Sequence, residues 1–306
     1  MAAIILHLCL LLVLPPLLIG IITRTKSWFA GRKGPPLWQP YFDLWKLLHK
    51  GTVYSRTTTW VFRAGPIVTL AAALTAGLLT PLCAAASPLG FSGDVILFAY
   101  LLGLGRFFTM AAALDTGSSF EGMGASREAA FSALAEPALF LALAIVCIPA
   151  GSASFAEAWA SLPWGTWGPA HPALPAAAVA LFGVLLAENS RIPVDDPTTH
   201  LELTMIHEVM VLDHGGPDFA FVLYGSAIKL FLFASLLVHM VFPIPPAGGA
   251  LGVAAFVAGA AAVAVLVGIV ESVTARIRLL RVPQLLVGAS VIAALGLAVL
   301  IYRGTP

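Results

Sequence analysis

Five ionisable residues stand inside or at the ends of long apolar runs: Arg106, Glu136, Glu188, Lys229 and Glu271. A charge at membrane depth is costly unless it is paired, protonated or reached by water, and such residues mark ion or proton paths by default. The densest chemistry lies at 187–213. There Glu188, Asp195, Asp196, Glu202, Glu208 and Asp213 face Arg191 alone, with His200 and His207 among them. Ile, Leu, Val and Met fill much of the same stretch, so one face must be buried. Buried carboxylates and imidazoles at the mouth of a helical bundle suit proton uptake or relay. Asp196 before Pro197 has the form of an N-cap with proline in the first turn, which predicts a helix over 197–212. The two histidines lack the HExxH spacing, and no metal site is expected.

Three further polar segments surround this one. Gly31 to Pro40 is a turn-rich loop, and Tyr41 to Lys50 places apolar residues at 41, 42, 44, 45, 47 and 48 around Asp43, Lys46 and Lys50. That spacing predicts a short amphipathic helix on the membrane surface, an anchor or a docking surface for a soluble partner. In 115–137, Ser126 has the form of an N-cap, and Glu128 and Glu136 are eight residues apart, near one face of the helix that follows. Glu271 to Gln284 carries Arg276, Arg278 and Arg281, a cluster that sets topology or pairs with the acidic segments. Cys9, Cys83 and Cys147 each stand alone in apolar sequence, so the chain offers no ligand set for an iron–sulfur cluster or a structural zinc. Redox centres, if this protein serves electron transfer, belong to partner subunits.

The elements that must position these residues are membrane helices. Of 306 residues, 59% are hydrophobic and 10% are charged, far below the roughly 25% charged residues of a soluble domain. Eight stretches have the roughly 20 apolar residues that a span requires: 3–22, 67–86, 94–114, 129–149, 173–188, 219–242, 250–271 and 283–302. The fold expected is an all-α integral membrane protein, a single domain of about eight transmembrane helices with cytoplasmic amphipathic and loop helices. The first run lacks a basic leader and an A-x-A site and reads as a span rather than a signal peptide. Thirteen of the 16 basic residues fall in alternate loops: Arg24, Lys26, Arg32, Lys33, Lys46, Lys50, Arg56, Arg63, Arg127, Arg191, Arg276, Arg278 and Arg281. The intervening loops hold none. By the positive-inside rule the basic side is cytoplasmic, which puts both termini outside. No internal repeat suggests an inverted-repeat transporter.

Gly31-Arg32-Lys33-Gly34-Pro35, Gln39-Pro40 and Asp43-Leu44-Trp45-Lys46, with Ala187-Glu188-Asn189-Ser190-Arg191-Ile192-Pro193-Val194-Asp195, resemble the complex I subunit 1 superfamily. The continuation Pro197-Thr198-Thr199-His200 through Ile206-His207-Glu208 is similar to its hydrogenase branch, which includes formate hydrogenlyase subunit 4, hydrogenase-4 component C and the membrane subunit of energy-converting [NiFe] hydrogenases. The resemblance covers nearly the whole chain. It implies a non-catalytic anchor and coupling subunit, without a cofactor of its own, in a bacterial or archaeal cytoplasmic membrane. The implied partners are hydrogenase large and small-type subunits, iron–sulfur subunits carrying the clusters, a [NiFe] centre in the large subunit, and antiporter-like membrane subunits; nucleic acid has no place in it.

By motif, Glu188, Arg191, Asp195, Glu202, Arg32, Asp43 and Lys46 belong to the junction with the soluble arm. The expected ion path runs through Glu136, Glu188, Asp195, Glu202, His207, Glu208, Lys229, Glu271 and Arg106. The expected docking surface comprises Arg32, Lys33, Asp43, Lys46, Arg191, Asp213, Arg276 and Arg278. After Asp195 the sequence departs from the quinone-enzyme pattern, which counts against a working quinone site. The competing expectations are a quinone-site subunit of a respiratory dehydrogenase, a stand-alone secondary transporter, and a structural anchor with no ion path.

Overall fold

The structure, a computed structural model, describes residues 2–83, 87–162, 173–195, 206–242 and 249–303. Among these every regular element is helical. Seven helices are long and apolar enough to cross a membrane: α1 (Ala2–Phe29), α3 (Trp60–Leu79), α4 (Asp94–Asp115), α5 (Ser119–Ala150), α8 (Gly216–Val241), α9 (Ala250–Val273) and α10 (Val282–Arg303). The amphipathic α2 is Gln39–Leu48, α6 is a short helix at Phe155–Ala160, and α7 is Leu174–Glu188. This is an all-α membrane bundle of about eight spans, and α8 is its hub. It packs against α1, α2, α3, α7 and α9, and Phe231 and Phe233 on it are fully buried. In lipid the packing of side chains, rather than exclusion from water, draws helices together. The α3–α4 pair shows how: Thr69 Oγ1 donates to the Gly105 carbonyl at 3.1 Å and lies 3.0 Å from Thr109 Oγ1.

Several boundaries differ from those the sequence suggests, each for a local reason. The α3 helix begins at 60, not 67, because Asp115 accepts the Thr59 N–H (2.6 Å), the Thr59 hydroxyl (2.9 Å) and the Phe62 N–H (3.3 Å). Thr59 Oγ1 then caps the Val61 N–H, and Arg63 moves into the first turn, over the Tyr54 ring. The α5 helix starts at 119, so Ser126 is not a cap; it lies inside the helix with its hydroxyl on the Met123 carbonyl. Gly124 permits this extension, because Val209 and Ile206 lie where a β-carbon would stand. Of the helix expected over 197–212, residues 197–205 fall outside the described residues. The remainder holds only one 3-10 turn, Glu208–Val211.

The Pro15–Pro16 pair inside α1 lacks two N–H groups and so leaves carbonyls one turn earlier without their helical partners. A tyrosine from one neighbour bonds one of these carbonyls, and a tyrosine from another bonds the carbonyl beside it. Tyr224 of α8 donates to the Leu12 carbonyl at 2.8 Å, and Tyr41 of α2 donates to the Val13 carbonyl. These two bonds tie α2 and the hub α8 to α1.

Candidate functional site

The site begins with a helix that is too short. The 15 residues of α7 rise about 22 Å, less than the roughly 30 Å hydrocarbon layer. Its final residue, Glu188, therefore ends within the protein rather than at its surface. The chain then runs irregularly through 189–195, with Ser190, Ile192, Val194 and Asp195 buried. Non-helical backbone is tolerated at such depth only where protein encloses it.

Two helices bring cations to Glu188, and a third adds a carboxylate to one of them. Arg106 of α4 reaches Glu188 Oε1 at 2.8 Å and Glu136 Oε1 of α5 at 2.7 Å. Lys229 of α8 reaches Glu188 Oε2 at 3.3 Å. The result is a continuous chain, Lys229–Glu188–Arg106–Glu136, of two cations and two carboxylates. The side chains of Glu188 and Arg106 are 6% and 9% exposed, while that of Glu136 is 49% exposed. The network is thus closed inside the bundle and open at one lateral end. Four of the five charges singled out at membrane depth meet here, although 123 residues separate Arg106 from Lys229 in the chain.

A second group leads toward the basic side. Asp195 is buried and pairs with Arg276 at 2.7 Å. Its other oxygen accepts the backbone N–H groups of Ile206 (3.1 Å) and His207 (3.3 Å). His207 Nδ1 stands 3.4 Å from Glu128 Oε2, and Glu128 is buried on α5 two turns before Glu136. The Ile277 N–H donates to the Pro193 carbonyl, so the 189–195 and 274–278 segments are fastened together. Burial pushes the His214 imidazole below its usual pKa, with Asp218 and Asp213 pulling the other way; the ring stacks on Phe62 at 4.0 Å.

Glu271 does not join the first network. It is buried and pairs with Lys26 at 2.9 Å and Arg191 at 3.5 Å, bracing α1 and α9 against the loop after α7. Glu208 opens the 3-10 turn and is half-buried; Asp213 is exposed just beyond that turn. Arg32, Lys33, Lys46 and Arg278 are exposed. Asp43 lies on α2 with the Gln39 amide on its carboxylate at 2.9 Å. Glu202 falls outside the described residues. Sequence reasoning gave no role to Lys26 or Glu128. The eight-residue offset between Glu128 and Glu136 was the available signal for Glu128. Lys26 carried none beyond its place in the topogenic set. Among the described residues no group of three or more His, Cys, Asp or Glu could hold a metal ion.

The chain matches the NADH dehydrogenase family over residues 1–302. It is 34% identical to hydrogenase-4 component C of Escherichia coli (strain K12) over 234 residues, 76% of this chain and 73% of that protein. It is 31% identical to formate hydrogenlyase subunit 4 of the same strain, over 74% of this chain and 73% of that one. Against an NADH-quinone oxidoreductase subunit of Burkholderia vietnamiensis the identity is 25%, over 69% of this chain and 62% of that one. A solved chain of the membrane-bound sulfane sulfur reductase, an archaeal respiratory membrane complex, superposes with a TM-score of 0.83 at 23% identity, over 97% of this chain and 98% of that one, which shows the shared fold. Spans, fold and relatives converge: this chain belongs to the NADH dehydrogenase family, complex I subunit 1 type, and is a multi-pass membrane subunit.

Proposed function

We propose that this chain is the membrane anchor and coupling subunit of a membrane-bound [NiFe] hydrogenase complex related to complex I, linking electron transfer in soluble partners to translocation of protons or sodium ions. The observation that carries the reading is the run of charges from Arg276 and Asp195, past His207 and Glu128, to Arg106, Glu188, Lys229 and the half-exposed Glu136. A structural anchor has no need of two such groups of paired charges at this depth, where each charge is expensive. The similarity to two hydrogenase-complex subunits favours the hydrogenase branch.

In this reading the basic face is cytoplasmic, and both termini are outside. Arg32, Lys33, Lys46, Arg191, Asp213, Arg276 and Arg278 border the docked hydrogenase and iron–sulfur subunits. A cluster held by a partner would supply the electron-transfer chemistry, and its reduction would draw positive charge toward the junction. The Asp195–Arg276 pair responds, and Asp195 carries His207 with it through two backbone N–H bonds. His207 then exchanges a proton with Glu128. Arg106 stays charged and responds by redistributing its hold between Glu188 and Glu136. Glu136 meets a neighbouring antiporter-like membrane subunit at its exposed end. This chain needs no cofactor for those steps.

The test is Glu136→Gln in the purified complex, reconstituted into vesicles. Hydrogen evolution from reduced viologen should persist while the ion gradient collapses. A variant that builds the same gradient as the native complex would overturn the coupling role. Co-purified partners that reduce quinone and contain no nickel would transfer the protein to the respiratory branch.

A further inference from the structure

One buried carboxyl belongs to neither group of paired charges. Glu121 stands in the first turn of α5 and is 2% exposed. The 32 residues of α5 rise about 48 Å, more than the roughly 30 Å hydrocarbon layer, so the turns that carry Glu121, Ser126 and Arg127 project beyond the membrane on the basic side. One face of this projection is buried: Glu121, Gly124, Ala125 and Glu128, spaced three and four apart. The 206–213 segment covers it. Val209 lies against Gly124, and Val209, Met210 and Val211 pack with Ala113 and Ala125.

The two ends of that face differ in charge. At one end His207 stands 3.4 Å from Glu128. At the other the charge that bears on Glu121 is a second acid, the exposed Asp213. Neither Glu121 oxygen meets a donor at hydrogen-bond geometry. The Thr116 hydroxyl and the Asp213 N–H lie close, but the hydroxyl is bonded to the Ala113 carbonyl at 2.8 Å. Among the described residues no Lys, Arg or His stands within ion-pair distance of Glu121 or Asp213. Asp115 at the end of α4 is taken up by Thr59 and Phe62, His207 by Glu128, and the half-buried Glu208 opens the 3-10 turn. Burial and a neighbouring like charge both disfavour an ionised carboxylate, and both raise the Glu121 carboxyl above its usual range.

We propose that Glu121 is a proton-binding site that latches the 206–213 segment onto α5, with Asp213 as its port to water at the basic face. With the proton bound, the carboxyl is neutral and the segment closes over it. Loss of the proton to water through Asp213 leaves two carboxylates together, one of them buried. The Asp213 end of the segment then lifts, while the His207 end stays on Glu128. A group raised in the folded state stabilises it at low pH, and that stability is lost as pH rises through the folded value. The latch goes beyond the coupling role proposed above: it takes its proton from water on the basic side, whichever complex the chain serves.

The purified complex in mild detergent would be followed by infrared difference spectroscopy and by hydrogen exchange between about pH 6 and 9. Near neutral pH the native protein should show the carbonyl stretch of an un-ionised carboxylic acid that Glu121→Gln lacks. With rising pH that band should vanish, and amide protection over 210–214 should fall about tenfold beyond the intrinsic rate, the change expected of one pKa unit of linkage. In Glu121→Gln the protection should stay level. In Asp213→Asn the transition should move to lower pH, because a like charge has gone. The direction separates this site from His214, which loses stability as pH falls. Four results would overturn the proposal: no band that depends on Glu121, native protection that does not fall as pH rises, a fall that persists in Glu121→Gln and so belongs to His207, or an unmoved transition in Asp213→Asn. The native exchange profile and the exposed Asp213→Asn site decide the matter even with a Glu121→Gln chain that does not fold.

Discussion

Replacing Glu188 by Gln removes the carboxylate shared by two cations. At an effective dielectric of about 20, its attraction to Arg106 at 2.8 Å is about 6 kcal/mol and to Lys229 at 3.3 Å about 5 kcal/mol. Most of this offsets the cost of taking three charges out of water, and removal of one partner of a buried pair costs a net 3–5 kcal/mol. The low end applies, because Arg106 keeps Glu136. At roughly 2–4 °C per kcal/mol, the thermal midpoint of the purified complex should fall by about 10 °C. The double variant Glu188→Gln, Lys229→Met removes one charge of each sign and should regain most of that loss. Fluorescence-monitored unfolding of the two single variants and the double variant in the same detergent measures the coupling. Single variants within about 0.5 kcal/mol of native, with an additive double, would refute the claim that these residues form one energetic unit.

Tyr224→Phe deletes the donor on the Leu12 carbonyl and should lower stability by about 1–3 kcal/mol. Pro16→Ala, which restores the helical N–H, should recover part of it, and the thermal midpoints of the three proteins decide. Asp195→Ala releases Arg276 and the N–H groups of Ile206 and His207, so hydrogen exchange at the 206–214 amides should accelerate; unchanged protection would show that this loop is held elsewhere. His214 is held below its usual pKa of about 6.5 in the folded protein, so between its folded and unfolded values the unfolded chain binds more protons. Stability should therefore be lost as pH falls below about 6.5. His214→Phe, which keeps the stack on Phe62, should flatten the thermal midpoint between pH 7.5 and 5.5 relative to native.

Hydropathy and charge alternation were enough to determine the membrane class, about eight spans and a basic face, because a bilayer requires long apolar helices and penalises charges one residue at a time. The sequence also exposed the costly residues themselves, since Arg106, Glu136, Glu188 and Lys229 interrupt otherwise apolar runs. It could not show which of them meet. Helix packing is set by side-chain fit between segments far apart in the chain, and no local pattern encodes that Arg106 bridges Glu188 and Glu136 while Glu271 turns away to Lys26 and Arg191. The start of α5 at 119 and of α3 at 60 escaped for the same reason. Asp115 fixes the α3 start from 56 residues away, and Gly124 is helical because Val209 packs against it. Local propensity favours loops at both places, and tertiary contacts decide against it.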